Sequence, residues 1–198
     1  MPVKIEEYIK SLPDDIISGN EVKLPDDSLR KIFEFLNLDE NDVFYHLGCD
    51  DGKGIKMALQ EFHVKNAIGV DNNKEKIQRA IKLIEENNLK GGKFLCEDIL
   101  TAKIADATAI LFWFTDVEII EKMKKRFQSL QDGCKIVTIW GPLPECLPAQ
   151  VDFPYIINQV PFKHANLKEQ LLATFGIKCI DFVTAWEYAE RYTKAIAS

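Results

Sequence analysis

The chain has 198 residues, 46% of them hydrophobic and 28% charged, with a formal net charge of −6 and a pI near 5.2. That much apolar material builds one sizeable core, so a single domain over residues 1–198 is expected, and the acidic balance argues against a nucleic-acid partner. No apolar run is long enough to span a bilayer, M-P-V-K-I-E-E lacks a signal peptide's apolar stretch, and the five cysteines form no C-x-x-C pair, so a cytoplasmic chain with reduced thiols is expected.

Residues 1–36 read as a helical cover. Lys4 to Leu12 puts Ile5, Tyr8 and Ile9 on one helical face and stops at Pro13. After Leu24 and Pro25, Asp26 or Asp27 is placed to cap a second helix in which Leu29, Ile32, Phe33 and Leu36 recur at helical spacing. The entry loop Val22 to Pro25 is either a lid over a ligand cleft or a plain solvated loop.

Residues 42–140 carry the pattern of a nucleoside-binding core. Asp42 to Asp71 holds an apolar strand (Val43 to Leu47), a turn bearing Gly48, Gly52 and Gly54, a helix turning Ile55, Ala58, Leu59 and Phe62 inward, a second strand (Ala67 to Val70) and a terminal acid, Asp71. Glycines after a first strand let backbone approach a ligand, the next helix offers unpaired N–H groups, and an acid at the second strand's tip can accept both hydroxyls of a ribose. Lys74 to Asn87 is the next helix, with Ile77, Ala80, Ile81 and Ile84 inward, broken by Gly91-Gly92. Strands follow at Lys93 to Cys96, Thr108 to Phe112 and Cys134 to Ile139, with a helix at Asp116 to Gln128. Apolar strands alternating with helices predict an α/β fold, a three-layer, doubly wound and mostly parallel sheet.

Residues 141–198 read as a substrate-side loop followed by a last strand and helix. Five prolines between Pro142 and Pro161 leave room for at most an edge strand at Tyr155 to Val160. Asn166 to Phe175 is a helix ended by Gly176, Ile177 to Val183 a strand, and Thr184 to Ile196 a helix with Trp186, Ala189, Thr193 and Ile196 on one face. Tyr188 and Tyr192 lie on another face, suited to a dimer contact or a protein substrate. His46, His63 and His164 share no ligand spacing, so no metal site is expected.

The turn selects the ligand. Dinucleotide sites use G-x-G-x-x-G, but two residues after Gly48 stands Asp50, which would repel a pyrophosphate and tolerate a cation. L-G-C-D-D-G, followed by Asp71 and then Glu97-Asp98, resembles in order the first three motifs of class I S-adenosylmethionine-dependent methyltransferases, over roughly Pro25 to Ile139. The resemblance implies S-adenosylmethionine as cofactor, bound by His46, Gly48, Cys49, Asp50, Gly52, Asp71, Asn72, Glu97, Asp98, Ile99 and Phe112. Two positions depart from the pattern: His46 stands where the family has an acid, and Asp50 replaces the middle glycine. Either the acid has moved from strand to turn and still faces the ligand, or Asp50 closes the pocket and leaves a binding scaffold without catalysis.

Strand ends also nominate the chemistry. F-W-F-T-D (Phe112 to Asp116) and W-G-P-L-P (Trp140 to Pro144) bring two indoles to the cleft, so Trp113, Thr115 and Trp140 are the candidate catalytic residues. Aromatic faces receive alkylammonium groups or align a neutral amine, and Asp116 reads as the cap of its helix. The absence of N-P-P-Y or D-P-P-Y argues against a base methyltransferase. The layout looks loosely like small archaeal protein-lysine methyltransferases, which implies methyl transfer to nitrogen on a protein lysine, or else on a small amine or other small molecule. Oligomeric state stays open.

Overall fold

A computed structural model of the chain describes residues 24–176. The helix expected at Lys4 to Leu12, Val22 and Lys23 of the Val22 to Pro25 loop, and the strand and helix expected from Ile177 onward lie outside the described residues.

The elements are α1 (Asp26–Leu36), β1 (Val43–Leu47), α2 (Lys53–Gln60), β2 (Asn66–Asp71), α3 (Lys74–Glu86), β3 (Gly92–Cys96), β4 (Ala109–Phe112), α4 (Val117–Phe127), β5 (Lys135–Ile139), β6 (Gln150–Asp152), β7 (Tyr155–Gln159) and α5 (Leu167–Phe175). They build a seven-stranded sheet in the order β3-β2-β1-β4-β5-β7-β6. The pairs from β3 through β5 are parallel, and β7 runs antiparallel to both β5 and β6. Alternate strand residues feed opposite faces. Phe44, Ala67, Leu111 and Val137 face a layer containing α1, α2 and α3 residues, whereas Tyr45, Ile68, Ile110 and Ile136 face one containing Met123 and Phe127 of α4. The strand order reverses between β1 and β4, which opens a crevice outside their carboxyl ends.

The differences from expectation have local causes. No carboxylate caps α1: Pro25 occupies the cap and accepts the Leu29 N–H through its carbonyl, while Asp27 pairs with Arg30 at 3.1 Å. Ile81 is 39% exposed, because Ile77, Ala80 and Ile84 already fill the buried stripe of α3. Phe62 lies beyond the end of α2 and reaches the core from the loop, edge-on to Phe33 at 5.5 Å. α3 ends at Glu86, ahead of Gly91-Gly92, and Gly92 opens β3, where a Cβ would sit 3.1 Å from Leu59 and 3.2 Å from Ile84. The strand at Tyr155 is interior, flanked by β5 and β6. Pro148, Pro154 and Pro161 all fall outside β6 and β7, so neither strand loses a ladder N–H.

Candidate functional site

The crevice is floored by the turn after β1. Gly48 and Cys49 both donate their N–H groups to the Val70 carbonyl, at 2.8 and 3.0 Å, which ties this turn to the end of β2. Gly48, Asp50 and Gly52 all take left-handed backbone (φ +78°, +48° and +81°). At Gly52 only glycine fits, because a Cβ would sit 2.7 Å from Ala80 Cβ and 3.1 Å from a Phe94 ring carbon. Over Gly48 lies Phe114, whose ring would be 3.2 Å from an added Cβ. Phe114 escaped the sequence reading; its signal was the third residue of F-W-F, facing the opposite side of the strand end from Trp113.

Asp71, at the tip of β2, is 9% exposed. Its Oδ2 accepts the Asp50 N–H (3.1 Å) and its Oδ1 the Asn73 N–H (2.9 Å). Each carboxylate oxygen can accept two hydrogen bonds and here accepts one from the backbone, so lone pairs remain for a ligand's hydroxyls. The Asp50 carboxylate pairs with Lys76 Nζ at 3.2 Å, with the two side chains 20% and 15% exposed. Lys76 too was missed by sequence reading.

His46 is half-buried on β1, with its Nδ1 sealed from solvent and without a hydrogen-bond partner. The ring occupies the space a side chain on residue 54 would need: a Cβ on Gly54 would lie 2.7 Å from Nδ1. Burial pushes the imidazole pKa down to about 4, against an opposing pull from Asp50. His46 is therefore neutral at physiological pH, unlike the acid it replaces.

At the far wall, Trp140 holds left-handed backbone (φ +79°) and donates its N–H to the Pro154 carbonyl at 2.8 Å. Such a conformation costs a non-glycine residue about 1 kcal/mol or more and persists only where neighbours impose it. The neighbours are polar and buried: Asn158 Nδ2 donates to the Ile136 carbonyl and to Thr138 Oγ1, its Oδ1 accepts the Leu143 N–H, and Thr138 Oγ1 donates to the Gly141 carbonyl. Trp140 stands edge-on to Phe153 (6.0 Å between centroids), which contacts Phe175 (5.3 Å).

A crevice with a glycine floor and a strand-tip acid with spare lone pairs suits the ribose of a nucleoside. One curated relative, a protein-lysine N-methyltransferase of Saccharolobus islandicus (strain REY15A), is 32% identical over 120 residues, covering 59% of this chain and 73% of its own. The chain belongs to the class I S-adenosylmethionine-dependent methyltransferases. It is an enzyme, and S-adenosylmethionine is its cofactor. No protein-family model matches the chain. An RNA methyltransferase of Salinibacter ruber, solved with S-adenosyl-L-homocysteine, superposes with a TM-score of 0.66 at 21% identity, covering 73% of this chain and 97% of its own. A precorrin 8w decarboxylase of Methanobacterium thermoautotrophicum gives 0.51 at 22% identity, over 64% and 70% of the two chains. At those identities the likeness is one of fold.

Of the residues nominated for this methyltransferase, Gly48, Asp50, Gly52, Asp71 and Asn72 gather at the β1 and β2 ends. Glu97 adjoins them, with its N–H on the Asp71 carbonyl at 3.2 Å. Asp98 is exposed and uses Oδ1 to accept the Leu100 N–H at 2.8 Å, leaving Oδ2 for a ligand. Three nominees lie in the core instead. Cys49 is 2% exposed, its thiol against Gly69; Ile99 is 8% exposed, with its carbonyl bound by Arg126; and Phe112 is 1% exposed, stacked on Phe114 and edge-on to Phe127. Strand-end position alone does not distinguish a side chain facing the crevice from one facing the layer beneath. Trp113 is half-buried against the helical layer, Thr115 is exposed, and Asp116 caps α4 by accepting the Ile119 N–H at 3.0 Å. Among the described residues no His, Cys, Asp and Glu group is placed to hold a metal, and no helix is long and apolar enough to cross a membrane. A separate recess is lined by Tyr45, Asn66, Ile68, Lys93, Leu95 and Asp106.

Proposed function

We propose that this methyltransferase transfers its methyl group to nitrogen, on the side-chain amine of a lysine in a protein. The observation that carries the reading is the 32% identity to the Saccharolobus protein-lysine N-methyltransferase. The two tryptophans at the ends of β4 and β5 agree with it.

S-adenosylmethionine, when bound, supplies an electrophilic methyl group on a sulfonium sulfur. In this reading Asp71 takes the ribose hydroxyls, Glu97 and Asp98 the nucleoside edge, and the backbone of Gly48 to Gly52 lies against the ligand. The residues suit the cofactor in that Asp71 keeps acceptor capacity for its ribose hydroxyls. Trp113 and Trp140 would wall the acceptor's path, with Thr115 on its rim. In-line displacement at carbon needs alignment and a dry approach more than acid–base assistance. A lysine must arrive neutral, and aromatic walls favour the neutral amine by withholding water from the ammonium. Its constrained backbone and the edge-on contact with Phe153 limit the freedom the Trp140 indole would lose at binding.

The test is mass spectrometry of lysine-containing proteins, and separately of free lysine and small amines, after incubation with the enzyme and S-adenosylmethionine. The reading expects 14-Da increments (one CH2) on lysine side chains of protein acceptors, falling sharply with Trp140→Ala. Methylation confined to free amines or to another atom would overturn it.

A further inference from the structure

Asp50 stands where the methyltransferase pattern has its middle glycine, yet it does not face the crevice as an isolated acid. Among the described residues its interactions run in a circuit. Lys76 Nζ meets Asp50 Oδ1 (3.2 Å), the Asp50 N–H donates to Asp71 Oδ2 (3.1 Å), Asp71 Oδ1 accepts the Asn73 N–H (2.9 Å), and Asn73 Oδ1 accepts the Lys76 N–H (3.1 Å) as it caps α3. Three elements are tied together by it: the turn after β1, the tip of β2 and the first turn of α3.

We infer that Lys76 and Asp50 are a positioning pair for this reaction, in which Lys76 neutralises Asp50 and thereby fixes Asp71 in the orientation that receives the ribose. The inference rests on the reading of Asp71 as the ribose acid. Its physical basis is the like charge: without Lys76, two largely buried carboxylates would face each other across the Asp50 N–H, and a buried charge stripped of its partner is strongly unfavourable. The left-handed Asp50 backbone aims that N–H at Asp71, and the ion pair holds the backbone there. A lysine one turn into α3 therefore offsets the replacement of glycine by aspartate.

This role differs measurably from direct contact between Asp50 and the cofactor's charge. A positioning pair acts through the ribose, which S-adenosylmethionine and S-adenosylhomocysteine share; a contact with the sulfonium concerns only the former. Calorimetric titration of both ligands into wild type, Lys76→Met, Lys76→Arg, Asp50→Asn and Asp50→Asn/Lys76→Met decides between them, with thermal melts of each ligand-free variant as a folding check. The expected result is a loss of about tenfold or more in affinity for both ligands with Lys76→Met, retention with Lys76→Arg, and substantial recovery in the double variant. If Lys76→Met binds both ligands like wild type, or if Asp50→Asn weakens only S-adenosylmethionine, the inference is overturned. Should Lys76→Met fail to fold, the unchanged or selectively weakened binding of Asp50→Asn and the double variant still decides. Wild-type protein that binds neither ligand would instead overturn the reading of the crevice itself.

Discussion

Asn158 is the strongest single constraint on the loop that carries Trp140, and its removal is the sharpest test of how that wall is held. The side chain is fully buried and makes three hydrogen bonds, to the Ile136 carbonyl (3.2 Å), Thr138 Oγ1 (3.0 Å) and the Leu143 N–H (2.9 Å). In Asn158→Ala the Leu143 N–H and the side-chain share of the Ile136 carbonyl go unmet, at about 1–3 kcal/mol for a buried group left without a partner. Thr138 Oγ1 keeps its bond to Gly141 (2.7 Å), so it adds little. With a small cavity, the sum is about 3–4 kcal/mol. For a domain of this size, with a urea slope of about 2 kcal/mol/M, the midpoint falls by roughly 1.5–2 M. The assay is urea unfolding followed by tryptophan fluorescence, with the slope checked for constancy. Activity measured well below the new midpoint should drop further than Thr138→Val drops it, because the loop after Trp140 loses one of its tethers at Leu143, whose carbonyl Gln170 still holds at 2.9 Å. A midpoint shift under about 0.5 M would refute the network's assigned role.

Three further outcomes follow from the site. The His46 ring holds a proton only near pH 4, against 6.5 when unfolded, so the unfolded chain binds more protons in between; the stability from burying it neutral is complete above pH 6.5 and is lost as pH falls toward 4. Half-burial reduces the ceiling of about 3 kcal/mol to roughly 1–2 kcal/mol, read as the difference in pH dependence between wild type and His46→Gln in chemical unfolding. Gly52→Ala adds a Cβ 2.7 Å from Ala80 Cβ at φ +81°, and should destabilise by about 2–4 kcal/mol and weaken cofactor affinity measured by calorimetry. Glu145→Gln removes the negative charge 3.1 Å from the buried Lys124, beside the loop after β5, and leaves an amide oxygen to accept; Glu121 at 3.6 Å remains, so the midpoint in thermal unfolding should fall only slightly.

What the sequence disclosed and what it withheld differ in kind. The unit from Val43 to Asp71 was legible because apolar strands, a glycine turn and a strand-tip acid are local signals of fixed period and spacing. Ile81 was misplaced because a helix face has a border, and residue identity does not say on which side of it a position falls. The prolines around Tyr155 suggested an edge strand, yet they occupy the turns around β6 and β7, a matter of register that spacing alone does not fix. The departures at His46 and Asp50 were visible as departures. The ion pair at Asp50 was not, since Lys76 lies 26 residues beyond it and meets it only once β2 and α3 have folded back. Cys49, Ile99 and Phe112 lie at or just beyond strand ends, as the exposed Gly48, Glu97 and Asp98 do, and only the direction of each side chain separates them.

The central claim is that the crevice at the carboxyl ends of β1 and β2 holds S-adenosylmethionine through Asp71. Calorimetric titration of wild type and Asp71→Ala with this ligand, each variant first shown to be folded by circular dichroism, tests it most directly. The account predicts saturable binding by the wild type that Asp71→Ala loses by about a hundredfold or more, as removal of a buried charged hydrogen-bonding group implies. Equal binding by the two proteins, or none by the wild type at millimolar ligand, would contradict it.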